Sequence, residues 1–179
     1  AYAGFVGIVV YPGEFRVRRE ELDEDGVLHQ WSDDLTGEAW SGGPVVLSWQ
    51  DVAAAEPGYN VVIHEFAHKL DMLAGDADGY PPAPPGITPA RWRESLEAAY
   101  DAFCDDVDVA ERTAPRHAQT FDFPFDPYAA ESPSEFFAVM SEAFFTDPHT
   151  LRESYPMLYD ALGKFYRQDP AARLPRIAP

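Results

Sequence analysis

One cysteine, Cys104, is all the thiol chemistry in this chain of 179 residues, so a disulfide within it is excluded. A lone thiol fits a reducing compartment, and the expected location is the cytoplasm. Long apolar runs are missing as well. The longest, Phe5 to Tyr11 and Val45 to Trp49, have strand length and fall far short of the ~20 residues a membrane helix needs. No secretory signal pattern is visible, and the sequence begins at Ala1 rather than Met. Basic residues are scarce: Lys and Arg total 13 against 31 Asp and Glu, a formal net charge of −18. Such a surface repels nucleic-acid phosphates and anionic lipid, so neither is expected as a partner. Solubility is the plain use of the acidic excess. Nothing in the composition sets an oligomeric state.

What is present describes a folded chain. Hydrophobic residues make up 46% and charged residues 25%, close to globular averages, and the length suits one domain spanning 1–179. The first third reads as strands and turns. Phe5 to Tyr11 is β-branched and aromatic and stops at Pro12-Gly13, and Phe15 to Arg19 alternates apolar with charged residues. Leu28 to Trp31, Glu38 to Trp40 and Val45 to Trp49 are further short strands. From Asn60 the period changes. Ile63, Phe66, Ala67 and Leu70 recur at helical steps, Asn60 is a fitting N-cap, and Gly75 ends the helix. Residues 76–89 (DADGYPPAPPGITP) can form neither helix nor central strand. Thr88-Pro89 opens a helix to about Asp105 with Trp92, Leu96, Ala99 and Phe103 on one side. Thr113 to Tyr128 is irregular, Ser132-Pro133 opens a helix that stops at Asp147-Pro148, and Tyr155 to Gln168 forms a last one. Strands first and helices afterwards make an α+β fold, with a small mixed sheet in the N-terminal part packed on the helices.

Two of the five histidines stand in His64-Glu65-Phe66-Ala67-His68, the pattern HExxH. On a helix, residues four apart lie on one face, so two imidazoles can converge on one cation, with Zn–N bonds of about 2.0–2.1 Å. The Glu beside the first His reaches a water on the metal instead of the metal itself. A random window matches this pattern on the order of once in tens of thousands. The ordinary alternative is a helix carrying two unremarkable histidines and a solvated Glu. Catalytic zinc needs a third protein ligand and an open position. Three residues after His68 stands Asp71, and six after stands Ala74, so the His of a metzincin is not there. The candidates lie further along: His117, Glu131, Glu135, Glu142 and His149. Glu135 opens a Phe-rich helix, yet Ser132-x-x-Glu135 is equally a capping box in which Glu135 would bond backbone. Spacing leaves that choice open.

The residues around these positions resemble the Mlc titration factor A family of bacterial zinc peptidases. The resemblance rests on HEFAHKLDM from His64, on Tyr128, on the run Ser132 to Phe145 and on Phe165 to Pro170. Val9 to Pro12 and Gly43 to Trp49 are similar too, so it spans nearly the whole chain, without the family's helical N-terminal extension. It implies a zincin-like domain similar in its active site to the catalytic domain of anthrax lethal factor. It further implies that Glu135 is the third ligand of one Zn2+ held with His64 and His68, that Glu65 is the general base and that Tyr128 supports the oxyanion. The activity it implies is aminopeptidase hydrolysis of a peptide substrate. The partner it implies is the glucose repressor Mlc, kept from its operator. A non-enzymatic repressor-binding protein with a vestigial metal site is the alternative. Thermolysin-like enzymes place an acid four residues after the ligand Glu, where this chain has Val139; Asp71 or Glu142 could orient a histidine instead, or merely form salt bridges. The strand Val45 to Trp49 is either the edge along which a peptide pairs or an interior strand.

Overall fold

The computed structural model describes residues 5–22, 26–114 and 123–176. Its strands are β1 (Ile8–Tyr11), β2 (Phe15–Leu22), β3 (Leu28–Leu35), β4 (Gly37–Ala39) and β5 (Val45–Ser48). Its helices are α1 (Trp49–Ala53), α2 (Val61–Asp71), α3 (Pro89–Thr113), α4 (Pro133–Thr146), α5 (Pro148–Ser154) and α6 (Pro156–Tyr166). Short 3-10 turns cover Met72–Ala74, Pro127–Ala130 and Pro170–Ala172. Among the described residues no helix is long and apolar enough to cross a membrane.

The sheet is small and mixed, in the order β1-β5-β4. β5 pairs parallel with β1 and antiparallel with β4. Val45, Val46, Leu47 and Ser48 are all buried, as a strand covered on both faces must be, and β5 is therefore the interior strand and not an edge. Among the described residues β1 and β4 are its outer strands. β2 and β3 form a separate antiparallel hairpin whose described side chains are exposed or half-buried. Trp49 leaves the strand and starts α1, because the Ser48 hydroxyl accepts from Asp51 N–H at 3.5 Å and caps a helix there.

Caps explain the helix starts. The Asn60 side chain accepts from Ile63 N–H at 3.1 Å, and this cap together with packing of Val61 against Val45 and Leu47 carries the β-branched opening of α2. Thr88 caps α3 with Pro89 at its first position, but α3 runs to Thr113 rather than to Asp105. Its buried stripe Trp92, Leu96, Phe103 continues to Val107, while Asp105, Asp106 and Asp108 keep to the other side, so the acidic run does not end it. Asp147 closes α4 and caps α5 in turn: the stop signal is also a start. α4 is buried continuously from Phe136 to Phe144, as the central helix of the larger core must be. Phe103, Phe136, Phe137, Phe144 and Leu162 of that core are 2% exposed or less.

Two features place the coming site. α2 packs along α4, and β4 lies against α2. Lys69, buried on α2, donates from Nζ to the carbonyl oxygens of Trp40 at 2.6 Å and Gly43 at 3.0 Å, tying the β4–β5 turn to that helix.

Candidate metal centre

His64 and His68 stand one turn apart on α2, and their Nε2 atoms are 3.1 Å from each other. Across from them, on the first turn of α4, Glu135 brings Oε2 to 3.0 Å from His64 Nε2 and Oε1 to 3.5 Å from His68 Nε2. One ligand atom from each of the three residues fits within a 4.8 Å span. Ligands on a tetrahedral ion at 2.0–2.1 Å stand roughly 3.4 Å apart, so these separations match a shared cation.

The hydrogen bonds behind the rings say which atoms face inward. His64 Nδ1 meets Glu142 Oε1 at 2.8 Å, and Glu142, 3% exposed, takes the Asn60 backbone N–H on its other oxygen. A carboxylate only accepts, so His64 donates from Nδ1 and turns a lone pair inward at Nε2. His68 Nδ1 lies 3.1 Å from Ser134 Oγ, whose hydroxyl is 3.3 Å from Asp71 Oδ2. Glu135 Oε2 is shut off from water, 3.0 Å from His64 Nε2. Electron pairs converge from three sides, and a positive charge must lie between them. The residues fit a divalent ion, and the donor set of two imidazoles and one carboxylate suits zinc. With no ion a proton fills the role. Burial pulls the His64 pKa down, but Glu135 and Glu142 outweigh it and raise the value to about 10. Burial likewise pushes Glu135 up, and the two histidines outweigh that to leave it at about 2.

Glu65, next to His64 on α2, faces β4. It is 6% exposed, and burial pushes its carboxyl up to about 7, against the pull of both histidines. It is pressed against β4: a Cβ added to Gly37 would stand 2.5 Å from Glu65 Oε1. A cleft of about 620 Å³ opens here, walled by Leu35 to Ala39 on one side and by Asp126, Tyr128, Ser132 and Ser134 on the other. Tyr128, 45% exposed on the 3-10 turn before α4, has its phenol pushed up to about 12 by burial and by Glu135, Glu131 and Glu65. It stays a neutral donor.

His64, Glu65, His68, Tyr128 and Glu135 line one cleft, and Val139, four after Glu135, adds a buried apolar wall. Glu142, seven after Glu135, orients His64. Glu135 does not act as the second half of a capping box: Ser132 Oγ accepts from Glu135 N–H at 3.2 Å, while the Glu135 carboxylate turns to the histidines. His149 bonds the Leu174 carbonyl instead, and His117 lies outside the described residues. Ser134 and Gly37 escape sequence reading. A serine in a helix's first turn looks like capping, and Thr36-Gly37 looks like a turn.

The profile of the glucose-regulated metallo-peptidase M90 family matches residues 1–167. Mlc titration factor A of Pectobacterium atrosepticum is 42% identical over 181 residues, covering 97% of this chain and 63% of the relative. The protein of the same name from Serratia proteamaculans is 41% identical over 177 residues, covering 97% and 64%. That of Yersinia enterocolitica is 39% identical over 176 residues, covering 97% and 62%. The chain thus spans less than two thirds of the length of these relatives.

Proposed function

The chain belongs to the glucose-regulated metallo-peptidase M90 family, and on that premise we propose that it hydrolyses peptide bonds as a zincin-like zinc peptidase, residues 1–179 forming one catalytic domain. The observation that carries this reading is the convergence of His64 Nε2, His68 Nε2 and the Glu135 carboxylate beside a buried Glu65. His64, His68 and Glu135 would hold one zinc ion, which when bound supplies Lewis acidity that acidifies a water to a pKa of about 7 and polarises a carbonyl.

The chain's own groups do the rest. Glu65, on α2 beside the ligands, takes a proton from the attacking water on its carboxylate and delivers it to the departing amine. Tyr128 donates its phenolic proton in a hydrogen bond to the scissile carbonyl oxygen as charge grows there. The outer edge of β4 lies along the cleft, where an extended peptide could pair with it. The resemblance favours aminopeptidase action, and the lone thiol Cys104 fits the cytoplasm.

The test is Glu65→Gln, followed by zinc content and by hydrolysis of aminoacyl nitroanilides. Zinc should remain while turnover falls about 10²- to 10⁴-fold. A zinc-loaded variant with full activity would sink the reading.

A second reading rests on the name its relatives carry, Mlc titration factor A. In it the chain sequesters a repressor of the Mlc type, with or without catalysis. Equal calorimetric binding of purified Mlc by wild type and Glu65→Gln would separate this role from hydrolysis. Binding by neither would refute it.

A further inference from the structure

The two histidines are held in different ways. His64 gives its Nδ1 proton directly to a carboxylate, Glu142. His68 faces no carboxylate at Nδ1; it faces the hydroxyl of Ser134 at 3.1 Å, and that hydroxyl faces Asp71 Oδ2 at 3.3 Å. Ser134 has one hydroxyl proton to give. Asp71, as a carboxylate, can only accept it. Ser134 must then accept from His68, which leaves the His68 proton on Nδ1 and the lone pair on Nε2.

From this we infer that Ser134 and Asp71 are positioning residues for His68: the serine relays the polarity of Asp71 and so fixes the tautomer that can ligate a metal. The inference rests on the metal reading of the site. Its surroundings support it. Asp71 is fully buried, yet its described hydrogen bonds come from two neutral donors, Ser134 Oγ and Gly79 N–H, the latter at 2.7 Å, and Oδ1 has no partner. A buried carboxylate held only by neutral donors is costly unless positive charge lies close by, and an ion on His68 supplies it through the relay.

Asp71 has a competing structural role. It pins Gly79, whose φ of +85° and close approach to the Pro133 backbone admit no side chain, and so holds the loop before α3. Among the described hydrogen bonds the Ser134 hydroxyl meets His68 and Asp71 and no group of that loop, which makes it the residue to change.

The experiment measures zinc affinity by chelator competition for wild type and Ser134→Ala, and records 15N ring spectra of both histidines. Zinc affinity of the alanine variant should fall about 10- to 100-fold. The His68 ring signals should shift towards mixed tautomers, while those of His64, held by Glu142, should stay as an internal control. Ser134→Thr and Ser134→Val have nearly one shape and differ by the hydroxyl, so they decide the matter even where alanine misfolds. Threonine should bind zinc within about threefold of wild type, and valine should match the alanine loss. Wild type, Ser134→Ala and Ser134→Val binding zinc alike, with unchanged His68 signals, would overturn the relay and leave the metal reading intact. A wild-type chain that takes up no zinc would overturn the metal reading itself.

Discussion

Glu142 accepts the Nδ1 proton of His64 at 2.8 Å while its second oxygen takes the backbone N–H of Asn60, the residue that caps the same helix. One buried carboxylate on α4 therefore sets both the start of α2 and the ring on its first turn. Folding and the orientation of the His64 ring are joined at a single side chain.

Replacing it by glutamine should break one of those two bonds, because an amide offers one accepting oxygen where the carboxylate offers two. Glu142→Gln is expected to lose about 10- to 100-fold in zinc affinity, read by chelator competition. Urea unfolding of the metal-free variant should show a loss of about 1–3 kcal/mol.

The start of α4 separates capping from ligation. Ser132→Ala should cost about 1 kcal/mol of stability with zinc retained. Glu135→Ala should do the reverse, keeping the cap and the far-ultraviolet circular dichroism while zinc is lost on dialysis. A Glu135→Ala protein retaining one zinc per chain would show the third ligand to be another residue.

Gly37 sets the room available to Glu65. In Gly37→Ala the new methyl group would meet the Glu65 carboxylate, so Glu65 must swing away or β4 must shift. Overpacking of this kind costs about 1–3 kcal/mol. The expected kinetic result is a lowered kcat at unchanged zinc content, measured on the same preparation.

Tyr128 should act without titrating. Burial and the carboxylates of Glu135, Glu131 and Glu65 raise its phenol to about 12, so the neutral form that donates prevails below that pH. Tyr128→Phe should therefore lower kcat/KM by about 10²- to 10³-fold, by the same factor at every pH from 6 to 9. An alkaline limb that vanishes in the variant would mean that the phenol ionises within that range.

The HExxH histidines and their helix were legible because every determinant is local: the i, i+4 spacing, the apolar face of Ile63, Phe66, Ala67 and Leu70, and the Asn60 cap. The mixture of strands and helices was legible for the same reason. Glu135 was not, since Ser132-x-x-Glu135 satisfies a cap and a ligand equally well. What turns the Glu135 carboxylate to the two histidines is α2 lying along α4, a contact between segments about seventy residues apart in sequence. Ser134 was hidden by the same distance. α1 and α5 were missed because five and seven residues carry too little periodicity, and their caps, Ser48 and Asp147, already end other elements. The far end of α3 was misjudged because an acidic run on an exposed face looks like a boundary until Val107 is known to be buried.

The β2–β3 hairpin stands apart from the sheet and has little apolar cover, although Asp34 and Leu35 at its base form the rim of the cleft. Two strands alone are marginal in water. In hydrogen-exchange terms, the amides of Phe15–Leu22 and Leu28–Leu35 should trade with deuterium through local opening, well before those of β5. The entrance to the cleft is then less protected than α2 and α4, so the cleft can breathe at its mouth while His64, His68 and Glu135 keep their spacing.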